Sequence, residues 1–275
     1  IFLAFFHFHI HFSRMGMNNI WDGLGYVIVI GALWQGWQTG KRTAFLLAGL
    51  GLGFIQYFYA SARILPLILL AWLVVLACSA PLRFRTHMLD LSLMFFVGLV
   101  VILPLVFFYL NKPDELFTPL RNVSIFGPRL EIKMTTTGQP AWLILLNQLR
   151  LGFFAYTSVP ITFFYDPGTP VIRLYSLPFF LVGLTLLLIS LRKPQNWVLI
   201  FWLAAIAFLG AASTPTPAAQ RYIAAAPACT LLMGLGVAGI LDWVKKLPAL
   251  LRKGLSFLTL LSVLFISVED TTFFF

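Results

Sequence analysis

Charge is what this sequence has least of. Asp, Glu, Lys and Arg together make up 10% of its 275 residues, against about 25% in soluble domains, and a soluble surface cannot be built from so few. Acidic residues are the scarcer sign, nine against nineteen Lys and Arg, leaving a formal net charge of +10. That excess does not point to nucleic acid, because the basic residues are dispersed as pairs between apolar runs and not gathered on one face. There are two cysteines, too few for a disulfide framework. Cys78 and Cys229 each fall in or beside an apolar run and read as small buried thiols. The opening at Ile1 lacks both a methionine and a basic n-region. Its first residues look like the end of a membrane helix, so the expectation is a fragment of a longer chain.

What is present is hydrocarbon: 60% hydrophobic residues, 28 of them Phe. Apolar runs of about 20 residues recur, and at 1.5 Å per residue such a run crosses the roughly 30 Å core of a bilayer. The fold class expected is all-α, one polytopic transmembrane bundle over residues 1–275. It holds about eight complete spans and a partial first one, the lipid bilayer being its first partner. The spans read as Ile20 to Gln38, Ala44 to Ala60, Ile64 to Ala80, Leu89 to Leu110, Leu177 to Arg192, Trp197 to Ala212, Tyr222 to Val244 and Leu255 to Val268. A polar turn, His11 to Asp22, precedes the first. Asn111 to Pro140 reads as a charged loop, and Ala141 to Ser158, apolar but carrying Asn147, Gln148 and Arg150, as a juxtamembrane helix lying in the interface.

Alternate connections hold Lys41, Arg42, Arg83, Arg85, Arg192, Lys193, Lys245, Lys246, Arg252 and Lys253. The positive-inside rule turns these to the cytoplasm. Arg14, Arg63, Arg173 and Arg221 are then left at helix ends on the opposite face, beside Ser13, Tyr59 and Ser61, Tyr175, and Tyr222 respectively. A guanidinium drawn into the interface is costly without an anion or carbonyl to meet it, and its fork matches phosphate oxygens. Each arginine taken singly is equally served by snorkelling, or by pairing with Asp22 or Asp166. Four at one face suggest a lipid phosphate. His7 and His11 share a helix face at i and i+4, a spacing open to metal binding or to interfacial packing. Asn122-Val-Ser matches a glycosylation sequon in an outward loop.

The combination of Ser13-Arg14 before a span, Gly49 to Gly53 running to Tyr57-Phe-Tyr-Ala-Ser-Ala-Arg63 and Pro66, and Gln220-Arg221-Tyr222 followed by Pro227 resembles the GT-C superfamily of integral-membrane glycosyltransferases. The likeness is to its protein-mannosyltransferase-like and aminoarabinose-transferase-like branch, and it covers residues 1 to 245. It implies transfer of a sugar from a polyprenyl-phosphate donor to a glycan, lipid or protein acceptor on the extracytoplasmic side of a bacterial plasma membrane, with a divalent cation as a candidate cofactor. It also places the acidic general base in an outer loop upstream of Ile1. Arg63 and Arg221, then Arg14, are the candidates for holding the lipid phosphate, with Tyr59, Tyr222 and Arg173 beside them. Asp22 and Asp166 are candidates to orient acceptor or sugar, local salt bridging being the alternative. A transporter or flippase for an anionic lipid or solute is the other reading, in which the same arginines line a pathway. No internal repeat supports it, and the arginines stand at helix ends instead of near mid-bilayer. The enzyme reading requires Arg14, Arg63 and Arg221 to converge on one cavity.

Overall fold

In hydrocarbon the backbone has no water to bond, so runs this apolar close their hydrogen bonds within the segment as helices. A computed structural model describes residues 1–165 and 167–274, and these form thirteen α-helices and no strand. In chain order they are α1 (Phe2–Phe5), α2 (His7–Arg14), α3 (Ile20–Thr39), α4 (Arg42–Phe54), α5 (Leu65–Ser79), α6 (Pro81–Asn111) and α7 (Pro113–Val123), followed by α8 (Pro128–Thr137), α9 (Ala141–Phe154), α10 (Leu177–Ile189), α11 (Trp197–Ala211), α12 (Ala226–Val244) and α13 (Ala249–Phe274). Five stretches, Ala60–Ser79, Pro81–Asn111, Pro194–Ala211, Ile223–Val244 and Ala249–Phe273, are long and apolar enough to cross a membrane. The protein is therefore a multi-pass integral membrane protein with an all-α fold. The other three segments read as crossings are also helical, but α4 and α10 have only 13 residues each, about 20 Å. α3 has twenty, diluted by Asp22, Gln35 and Gln38.

Two seams set the register of the bundle, and both are made of glycine. A Cβ added at Gly49 of α4 would stand 2.3 Å from the Met94 carbonyl of α6, and one at Gly53 would stand 2.6 Å from that of Gly98. Across α10 and α12, a Cβ at Gly183 would lie 1.8 Å from the Leu232 carbonyl, and one at Gly236 would lie 2.0 Å from that of Phe179. Small residues at such positions let helix backbones approach closely where lipid supplies no hydrophobic drive between helices. In the first seam the residue numbers rise together, and in the second Gly183 crosses Gly236 and, further along both helices, Gly239 meets Leu186, so α4 runs parallel to α6 and α10 parallel to α12. Lys41-Arg42 therefore lies level with Arg83-Arg85, tied by Arg42 to Asp90 at 2.8 Å and by Arg83 to the Trp37 and Gln38 carbonyls. Arg192-Lys193 likewise lies level with Lys245-Lys246. Gly23 stands against Pro227, bringing the starts of α3 and α12 together and putting all these pairs at one end of the bundle, the basic end.

Four expectations are revised by the structure. The polar turn does not begin at His11, because α2 continues to Arg14 and the chain turns over Met15 to Asn19, with Gly16 at φ 66°. Asn111 to Pro140 is not a loop: it folds into α7 and α8, each opening on a proline preset for the first helical turn, and α8 closes on Gly138 in the left-handed region. Cys229 is buried, but Cys78 is exposed on α5, where the surroundings are apolar. Ala141 to Ser158 holds α9, which follows a crossing helix instead of lying across the bundle. Its Gly152 packs on Ala207 and Ala211, the Phe153 ring meets Phe208 edge-on, and beyond its end Tyr156 donates 2.9 Å to the Leu203 carbonyl. Successive residues meet earlier parts of α11, so the two helices are antiparallel and the tip of α9 reaches the middle of Pro194–Ala211. The chain then returns past that tip, where Val171 and Ile172 donate to the carbonyls of Ala155 and Tyr156. α10 starts from this depth, which accounts for its shortness.

Single cysteines introduced as Lys41→Cys and Asp114→Cys should react with an impermeant maleimide from opposite sides of the membrane; labelling from one side would overturn the arrangement. Gly236→Ala should destabilise the protein by about 1–3 kcal/mol through overpacking, read as a lowered melting temperature in detergent. Gly234→Ala, at a position with nothing within 4 Å, should be neutral or slightly stabilising.

Candidate functional site

At the end opposite the basic pairs, the connections that break the helices come together. The Tyr57–Arg63 link between α4 and α5, the top of α6, the α7–α8 hairpin and the Ser213–Arg221 link between α11 and α12 enclose a cavity of about 980 Å³. The local sequence explains the breaks. Gly53 to Tyr57 tightens from α-helix into a 3₁₀ turn, Pro66 opens α5, and Pro215 and Pro217 prevent α11 from continuing.

Three arginines line this cavity: Arg63, Arg129 and Arg221. Arg63 donates from Nη2 to the Tyr109 hydroxyl at 2.8 Å and from Nη1 to the Leu116 carbonyl at 3.1 Å, with its guanidinium 5.5 Å from the Tyr109 ring centre. Arg221 is buried and donates to the carbonyls of Pro215 at 2.9 Å and Thr214 at 3.1 Å. Arg129 donates to the Thr214 hydroxyl at 2.6 Å and to the Asn122 carbonyl. Among the described residues no Asp or Glu lines the cavity. Among the described residues the salt bridges are Arg42–Asp90, Arg121–Asp114, Arg173–Asp270 and Lys245–Asp242, so all three cavity arginines meet carbonyls and hydroxyls alone. Burial holds the Arg221 pKa below its ordinary value. The Tyr59 and Tyr222 oxygens draw it back up, and neighbouring Arg129 presses it down again. A guanidinium in such surroundings is still protonated at neutral pH, so the cavity carries three positive charges.

Its floor is polar and fully buried. Ser61, which lines the cavity, donates its hydroxyl to Asp22 and accepts the Tyr26 hydroxyl on its carbonyl at 2.9 Å. Asn19 donates to the Gln220 carbonyl at 3.0 Å. Among the described residues, the second oxygen of Asp22 and the side-chain carbonyls of Asn19 and Gln220 meet no donor. Among the described residues no three His, Cys, Asp or Glu side chains gather as a metal cluster. Against the Arg63 side of the cavity lies a second groove of about 440 Å³, which shares Gln56, Arg63, Leu105 and Tyr109 and is walled by Ile102, Val106 and Leu110. Arg63 lines both spaces; Arg129 and Arg221 line only the first.

The residues singled out from sequence separate into two groups. Arg63, Arg221 and Tyr59 line the cavity and Asp22 stands one hydrogen bond behind it. Arg14 lies exposed at the end of α2 and is not part of the lining, so the expected trio is only partly assembled. Arg173 is held elsewhere, 3.4 Å from Asp270 and 4.0 Å from the centre of the Phe273 ring. Tyr222 is a core residue whose hydroxyl donates to the Gly152 carbonyl at 2.9 Å. Asp166 lies outside the described residues. His7 and His11 use ring nitrogens on protein partners, His7 on the Tyr165 hydroxyl and the Val171 carbonyl, His11 on the Phe164 carbonyl. Arg129 was missed. It sits at the first turn of α8, and with that helix unread it looked like one more solvated charge in a loop; Pro128 before it was the available signal.

No protein-family model, curated protein or solved structure matches the chain. Ser61→Ala should lower stability by about 1–3 kcal/mol, the cost of leaving the buried Asp22 carboxyl without its donor, read as a drop in melting temperature. Tyr222→Phe should cost about 1 kcal/mol for one lost buried hydrogen bond and leave ligand binding in the cavity unchanged.

Proposed function

We propose that the protein is a membrane glycosyltransferase that moves a sugar from a polyprenyl-phosphate donor to an acceptor at the arginine-lined end of the bundle. The observation that carries this reading is three guanidinium groups around one cavity, with no carboxylate among the described residues that line it, beside an apolar groove. Like charges brought together in a fold repel one another, and the arrangement is stable when an anionic ligand completes it. Arg63, at the junction, fits a ligand with a phosphate at one end and a hydrocarbon chain at the other: the phosphate faces the cavity and the chain follows Ile102, Val106 and Leu110 along α6.

The chemistry follows from charge. A polyprenyl-phosphate sugar is a phosphodiester with one negative charge. When its glycosidic C–O bond breaks, the lipid phosphate departs with a second negative charge, and the acceptor oxygen bonds to the sugar carbon as it loses its proton. The Arg63 guanidinium, fixed by Tyr109 and Leu116, binds the departing phosphate more strongly than the bound donor, and that difference lowers the barrier. The resemblance noted above gives the acceptor's deprotonation to an acidic residue of an outer loop. The basic pairs at the other end support an extracytoplasmic position for the cavity under the positive-inside rule. A bacterial plasma membrane is the location this reading implies.

In the full-length protein, Arg63→Ala should lower transfer from a polyprenyl-phosphate sugar by a factor on the order of 10² or more, a typical loss for one preorganised charge-stabilising group. Arg63→Lys should recover only part of it, since an ammonium cannot reproduce the planar fork. Unchanged transfer in Arg63→Ala would overturn the reading, as would translocation of the lipid phosphate across vesicles without any sugar transfer.

A further inference from the structure

The three arginines are not equivalent, and their positive charge exceeds what a polyprenyl-phosphate donor brings. A bound phosphodiester carries one negative charge. Even with Asp22 ionised behind Ser61, the described residues leave one positive charge over in the cavity, and with Asp22 protonated they leave two. The surplus is localised. Arg63 is fixed on α6 and α7, through Tyr109 and Leu116, and borders the apolar groove. Arg129 and Arg221 are both fixed on Thr214, one on its hydroxyl and the other on its carbonyl, and do not border that groove. A guanidinium has five N–H donors. The described contacts of Arg129 occupy two of its nitrogens, those of Arg221 likewise, and each keeps its Nε–H and second hydrogens available. Lys133, one turn along α8 from Arg129, adds a further positive charge next to this turn. Its ammonium reaches the side-chain oxygen of Gln148 at 2.7 Å, with the amide set so that its nitrogen donates to Thr216 and Ala211.

We infer that Arg129 and Arg221 form a second oxyanion subsite, separate from the lipid-phosphate position at Arg63, and that it receives a phosphate or carboxylate carried by the acceptor. The inference rests on the glycosyltransferase reading for the word acceptor; the subsite itself rests on the paired arginines. It restricts the acceptor to molecules with an anionic group near the hydroxyl or other oxygen that takes the sugar. Selection works by desolvation: a neutral acceptor leaves two guanidinium groups facing each other across Thr214 without compensation, whereas an anionic one removes that repulsion and gains charge-assisted hydrogen bonds.

The test uses the purified full chain in detergent, saturated with farnesyl phosphate and titrated with phenyl phosphate, benzoate or the neutral phenyl glucoside. Phenyl phosphate or benzoate should still bind and raise the melting temperature further, while phenyl glucoside should not. Arg129→Gln should weaken that second binding on the order of ten-fold or more, the scale of one lost charge-assisted hydrogen bond, and leave farnesyl phosphate affinity unchanged. Arg63→Gln should do the reverse. Arg129→Lys, which keeps the charge, should fall between wild type and Arg129→Gln; a brace of purely structural purpose would give the same affinity in all three. Competition between phenyl phosphate and farnesyl phosphate for one position, equal binding of the glucoside, or parallel loss of both ligands in Arg129→Gln would each overturn the subsite. Failure of farnesyl phosphate to bind at all would instead count against the lipid-phosphate reading, and the anion titration would still read the Arg129–Arg221 pair.

Discussion

The far end of the molecule depends on one residue, Thr214. Its amide donates to the Val123 carbonyl at 2.6 Å, its hydroxyl accepts from Arg129 and its carbonyl accepts from Arg221. Through the first of these, supported by Ile125 donating to Ala212 at 2.9 Å, the α7–α8 hairpin is fastened to the end of α11. Through the other two, a pair of like charges is held against a single turn. Each of these groups would otherwise be an unmet polar atom beside hydrocarbon, where the cost is several kcal/mol. Cavity shape and cavity charge are therefore one construction: what fastens the hairpin also aims Arg129 and Arg221.

The glycine seams do comparable work at a distance. Because α4 and α6 pack almost backbone to backbone from Gly49 to Gly98, the end of α4 and the upper part of α6 have a fixed relative height. Tyr57 donates to the Val101 carbonyl at 2.8 Å at the top of that seam. The link that follows then delivers Arg63 to Tyr109. A methyl group at Gly49 or Gly53 would part the helices and shift Arg63 away from its partner without touching the cavity itself. The α10–α12 seam has the same effect on the other side, fixing the height of α12, which begins soon after Arg221.

How much of this the sequence discloses depends on the length of the element. Crossings of about 20 apolar residues declare themselves, as do the basic pairs between them, since both are requirements of the bilayer and act locally. Arg63 and Arg221 were legible because each stands next to a proline-marked helix start at a polar boundary. Short helices were not: α7 and α8 have 11 and 10 residues, and their helicity is settled by docking on Ser213 and Thr214, a tertiary fact. α9 has the composition of an interfacial helix, yet Gly152 and Gln148 face α11, and that complementarity is visible only when both helices are present. Arg14 and Arg173 carried the same signature as Arg63, an arginine beside a polar or aromatic residue at a helix end. What separates them is the location of the nearest acceptor, and Asp270, the partner of Arg173, lies 97 residues away.

Asn122 opens the triplet Asn-Val-Ser and lines the cavity from the end of α7. In cells that attach oligosaccharides to such triplets during secretion, a branched sugar chain on that nitrogen would occupy the volume the ligand needs, and Arg129, bonded to the same residue's carbonyl, would be screened behind it. With Asn122 on the secretory side of the membrane, that attachment would turn an open cavity into a plugged one with no change in the amino-acid sequence, so the production organism becomes a variable of every binding measurement.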